Sequence, residues 1–76
     1  MDISQYSFEI RRHAFIRALE RSITPDMIEA TLKGGTVKRF GKRNVKFSKE
    51  HKNFTVICVG EIIGTSVRIF TVEKGE

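Results

Sequence analysis

The 76 residues are 39% hydrophobic and 30% charged, enough apolar side chain for one small core and too little chain for a second. That length excludes multidomain enzymes, doubly wound nucleotide-binding folds and barrels, so residues 1–76 are expected to form a single domain. Fourteen Lys and Arg against nine Asp and Glu give a net charge of +5 and a pI of about 9.8, which makes a polyanion the leading partner.

In chain order, Met1–Tyr6 shows no basic region followed by an apolar run, and no stretch reaches the roughly 20 apolar residues of a membrane span. A membrane is therefore not an expected partner. From Phe8 to Arg21, a 100° turn per residue collects Phe8, Phe15, Ile16, Ala18 and Leu19 in one wedge, with His13, Arg17 and Arg21 as a stripe on the other side. Arg12 falls inside the wedge, which sets the start of the helix near Arg11 or Arg12. Thr24-Pro25 restarts a helix, because threonine caps free amides and proline at the first helical position lacks a donor that would go unsatisfied anyway. This second helix runs from about Pro25 to Lys33, packs through Met27, Ile28, Ala30, Thr31 and Leu32, and stops at Gly34-Gly35, where glycine permits left-handed backbone angles.

Beyond the glycines the period changes to two. Val37 and Arg39 alternate with Lys38 and Phe40, a turn falls at Gly41-Lys42, and Val45 and Phe47 alternate with Asn44, Lys46 and Ser48. Glu50–Asn53 is a polar turn. Phe54–Val59 is apolar on both faces, as a central strand is. Glu61–Gly64 reads as a bulged continuation or a hairpin with an apolar tip, and Val67–Val72 closes the sheet. The expected architecture is α+β, with two N-terminal helices packed on a three- to four-stranded antiparallel sheet in the order ααββββ. Cys58, alone in an apolar strand, reads as a small buried hydrophobe in a reducing cytoplasm. So small a core without disulfides also suggests homodimerisation.

The positive charge is concentrated. Lys33–Lys52 holds eight Lys and Arg and one acid, Glu50, a balance of +7 that leaves −2 for the rest. Cations on one hairpin, interleaved with Phe40 and Phe47, suit a phosphate-tracking surface with aromatic faces for bases. Arg21, Lys38, Arg39, Lys42, Arg43 and Lys46 are the candidate nucleic-acid contacts. The plainer reading is a hairpin edge kept soluble by lysines, with Phe40 and Phe47 in the core.

The segment Arg12–Ile28 contains His13-Ala14-x-x-Arg17-x-x-x-Arg21-x-Ile23-Thr24-x-x-x-Ile28, and the chain closes on Ile69-Phe70-Thr71-Val72. These features resemble a family of small bacterial and archaeal domains without a settled biochemical activity, over about Arg11 to Glu73. That family is in turn similar to the RelE-like and barnase-like ribonucleases and toxins. Ser22 stands where the family commonly has glycine. The resemblance implies helices on an antiparallel sheet that carries an RNA site, a ribosome-associated RNA substrate and an antitoxin protein as partner, and it carries His13, Arg17 and Arg21 over as motif residues.

Metal-independent RNA cleavage needs a base for the 2′-hydroxyl, cations for the phosphorane and an acid for the leaving oxygen. His13, Arg17 and Arg68 are the catalytic candidates, Arg68 because Val67 and Ile69 face the core and leave it on the opposite side. Structural roles compete with this reading, with His13 pairing to Glu9 and with Arg17 and Arg21 pairing to Glu20 and Asp26. His13, His51 and Cys58 lack ligand spacing, so neither a metal nor another cofactor is expected. The alternatives to a ribonuclease are a non-catalytic nucleic-acid-binding module and a small structural protein that dimerises through Phe54–Val59 or Ile62–Ile63.

Overall fold

The computed structural model describes residues 6–75, so the expectation for Met1–Gln5 lies outside the described residues. The element order is β1 (Ser7–Ile10), α1 (Arg12–Glu20), α2 (Pro25–Gly34), β2 (Thr36–Phe40), β3 (Asn44–Glu50), β4 (Thr55–Ile63) and β5 (Ser66–Gly75). All five strands join one sheet in the order β1-β5-β4-β3-β2. The strands from β2 to β5 form an antiparallel meander, whereas β1 lies parallel to β5 on its far side.

This corrects the expected ααββββ order of two N-terminal helices on a three- to four-stranded antiparallel sheet. A strand precedes the helices, and the sheet is five-stranded and mixed. The physical reason is visible in Ser7-Phe8-Glu9-Ile10, where exposed Ser7 and Glu9 alternate with half-buried Phe8 and Ile10. That is period two, not the first turn of a helix. The helix starts at Arg12 once the Arg11 amide has made a last edge bond to the Ile69 carbonyl (2.9 Å).

The helices cover one face of the sheet, α1 over β5 and α2 over β3 and β4. Between them lies a single core of Ala14, Ala18, Ile23, Ile28, Leu32, Val45, Phe47, Val56, Cys58, Val67, Ile69 and Val72. A bulge on β5 lets both Ile69 and Val72 face that core: Cys58 pairs with Val72 but Gly60 pairs with Ile69, so one extra residue resets the alternation.

Both helix ends are closed by local hydrogen bonds. At the end of α1 the Ile23 amide donates to the Ala18 carbonyl (2.9 Å) and the Ser22 amide to the Leu19 carbonyl (3.1 Å), a Schellman closure with buried Ile23 packed toward Ala18. At the start of α2 the Met27 amide donates to Thr24 Oγ1 (3.2 Å), with Pro25 at the first position. The Gly34-Gly35 stop has a different cause from the expected one. Gly35 is extended (φ −86°, ψ −179°), and a Cβ there would lie 2.5 Å from the carbonyl oxygens of both Ser48 and Thr31. Glycine is required for close approach to β3 and not for a left-handed angle.

Candidate active site

The two alanines of α1 determine where its polar side chains sit. Ala14 and Ala18 are buried against the sheet, and their small side chains let the helix lie close to β5. β1 ends at Ile10, opposite Ile69. The edge of β5 beyond that point therefore has no strand neighbour on this side, and α1 runs alongside it. The result is a cleft of about 80 Å³ lined by His13, Ala14, Arg17, Arg21, Phe70, Thr71, Val72 and Glu73. His13, Arg17 and Arg21 project from one flank of the helix at i, i+4 and i+8. Phe70, the extra residue of the bulge, is 40% exposed at the cleft.

The cleft brings together three of the residues singled out from sequence, His13, Arg17 and Arg21, and adds Glu73 and Phe70, which the sequence reading missed. Their distance of about 50 residues from the end of the helix leaves no local signal; only the position of α1 along the β5 edge joins them. Arg68 does not line the cleft. Its register partners are Glu9 and Glu61, and its Nε lies 3.9 Å from Glu9 Oε1. Glu9 is thus occupied by Arg68, and among the described residues no ion pair joins Arg17 or Arg21 to Glu20 or Asp26.

Apart from Arg21, which lines the cleft, the proposed nucleic-acid contacts fall at the opposite edge of the sheet. Lys38 and Lys46 are directly opposed across β2 and β3, while Arg39 faces Val45 and so points to the helix side. Lys42 and Arg43 lie exposed in the turn at residues 41–43. Phe47 is fully buried, whereas Phe40 is exposed.

The remaining candidate groups have structural surroundings. Buried Thr31 spends its single hydroxyl proton on the Met27 carbonyl (2.8 Å). Its 3.1 Å contact with His51 Nε2 therefore has the imidazole as donor, which ties α2 to the β3–β4 turn. Burial pushes the Cys58 thiol up to about 12, which keeps it neutral and poorly nucleophilic. Among the described residues no three His, Cys, Asp or Glu gather in a metal-binding group, and no helix is long and apolar enough to cross a membrane. Compared with known proteins, the chain matches no family model, no curated protein and no solved structure.

Proposed function

We propose that the protein binds single-stranded RNA and cleaves it without a metal, in the α1–β5 cleft. The observation that carries this reading is the lining of that cleft, to which His13, Arg17, Arg21, Phe70 and Glu73 all contribute. Such cleavage needs one general base and one general acid, roles that a carboxylate and an imidazole fill. Glu73 takes the 2′-hydroxyl proton as that oxygen attacks the adjacent phosphorus. Arg17 and Arg21 stabilise the charge on the phosphorane. His13 protonates the departing 5′-oxygen, which leaves a 2′,3′-cyclic phosphate on one fragment and a 5′-hydroxyl on the other. Phe70 offers a face for a neighbouring base.

The resemblance of the Arg12–Ile28 motif supports the RelE-like toxin class, with ribosome-associated RNA as substrate and an antitoxin as partner. The reduced, buried Cys58 fits a cytoplasmic location. A non-catalytic nucleic-acid module is the second reading, favoured by Lys38 lying directly opposite Lys46. Like charges at such a pair are unfavourable unless an anion lies between them.

Labelled single-stranded RNA, incubated with the protein in excess EDTA with and without ribosomes, tests both readings. Wild type is expected to cleave, and His13→Ala and Glu73→Gln each to slow cleavage by about 10²–10⁴-fold. Salt-sensitive binding without cleavage leaves the binding module alone. Neither binding nor cleavage removes both readings.

A further inference from the structure

Helix α1 carries one face that nothing in its own chain uses. At 100° per residue, Ile16 points directly away from buried Ala14 and Ala18. Arg12, Leu19 and Glu20 share this outer face, and all four residues are exposed, Ile16 at 44% and Leu19 at 48%. The wedge expected to form the core is therefore rotated, with Ile16 and Leu19 outside it. Phe15 flanks the face and lines an apolar groove of about 240 Å³ together with Phe8, Ile10, Pro25, Ile28 and Leu32.

The charges on the outer face carry two further observations. Arg12 and Glu20 lie four residues on either side of Ile16, about 6 Å along the axis in each direction, and neither is in an ion pair among the described residues. Both also have the wrong sign for their own helix, a cation at the N-terminal end and an anion at the C-terminal end, against the macrodipole. An α1 helix from a second copy, laid antiparallel, corrects both features. A two-fold axis beside Ile16 brings Arg12 of each copy level with Glu20 of the other and stacks the two Ile16 side chains between these pairs. Leu19 of each copy then leans toward the partner's groove.

We propose that this face is the contact of a homodimer, with a second copy of the chain docked antiparallel across α1. The occupant is this chain because the pattern of cation, aliphatic and anion is complementary to its own reverse. One short helix and a groove edge make an interface below the standard size, so the dimer is weak, with a Kd of about 10–100 µM. Arg17 and Arg21 lie on the flank of the helix, outside the contact, and His13 borders it, about 60° from Ile16; the proposal does not rest on the proposed RNA chemistry.

Sedimentation equilibrium of the purified protein, from about 5 µM to about 1 mM, tests it. Wild type is expected to pass from monomer to dimer over this range. Arg12→Glu and Glu20→Arg are each expected to weaken the dimer about tenfold, because each sets two pairs of like charges face to face, and the double variant to restore it to within about threefold. Ile16→Lys is expected to leave only monomer. Each charge reversal favours the helix dipole, so circular dichroism is expected to show the fold retained and lost dimer cannot be blamed on unfolding. A wild-type monomer throughout, single reversals without effect, a double variant as weak as the singles, or a dimer that survives Ile16→Lys each overturns the proposal.

Discussion

Ser22 closes the α1 helix at φ +64°, a left-handed angle at which an L side chain crowds its own carbonyl. The hydrogen bonds from the Ser22 and Ile23 amides to the Leu19 and Ala18 carbonyls hold this residue left-handed whatever its identity. Ser22→Gly is therefore expected to stabilise the protein by about 0.5–1 kcal/mol, raising Tm by about 2–8 °C in thermal denaturation. An unchanged or lower Tm would show that the strain is offset elsewhere. Single residues were legible where chemistry alone decides, as with Thr24 capping and Cys58 buried. Gly35 was not, because its reason is the carbonyl of Ser48, brought close by the chain's return as β3.

At the level of elements, both helices and the four strands of the meander follow from period and punctuation. β1 was hidden because Phe8 and Ile10 also fit the edge of a helical wedge and only four residues display the alternation. The orientation of α1 was hidden for a related reason. A helical wheel ranks Ile16 and Leu19 above Ala14 as core, but contact with β5 selects the small side chains that allow close approach. Strand register adds what alternation cannot, namely which cations of the basic hairpin share a face. Lys38 and Lys46 lie together on the face away from the helices, and Arg39 lies on the other. In titrations of single-stranded RNA at several salt concentrations, Lys38→Gln and Lys46→Gln are each expected to weaken binding and to reduce the salt slope by about 0.7. Arg39→Gln is expected to leave both nearly unchanged. Equal losses at all three positions would indicate diffuse attraction and not a defined face.

Over the whole molecule, the +5 charge resolves into two separated features. The basic hairpin forms one edge of the sheet, and the cleft of His13, Arg17, Arg21 and Glu73 lies at the β5 edge, three strand spacings or about 14 Å away. Between them the register runs Lys38, Lys46, Val59, Thr71 across the uncovered face. On the proposed reading, a single strand held at the lysines reaches the cleft along this row, with binding and cleavage carried by separate residues. The half of the cleft on α1 was legible because helical spacing places His13, Arg17 and Arg21 in a stripe. The half from β5 was not, since Phe70 and Glu73 reach it only through the bulge and the free strand edge.

The most direct measurement compares two labelled oligonucleotides in excess EDTA, one entirely RNA and one identical except for a 2′-deoxy sugar at the position where the first is cut. Cleavage of the first to a 2′,3′-cyclic phosphate, with the second left intact at that position and both bound equally, is the expected result. Cleavage of the deoxy-substituted strand at the same bond, or cleavage unaffected by Glu73→Gln and His13→Ala, would contradict attack by the 2′-hydroxyl in the α1–β5 cleft.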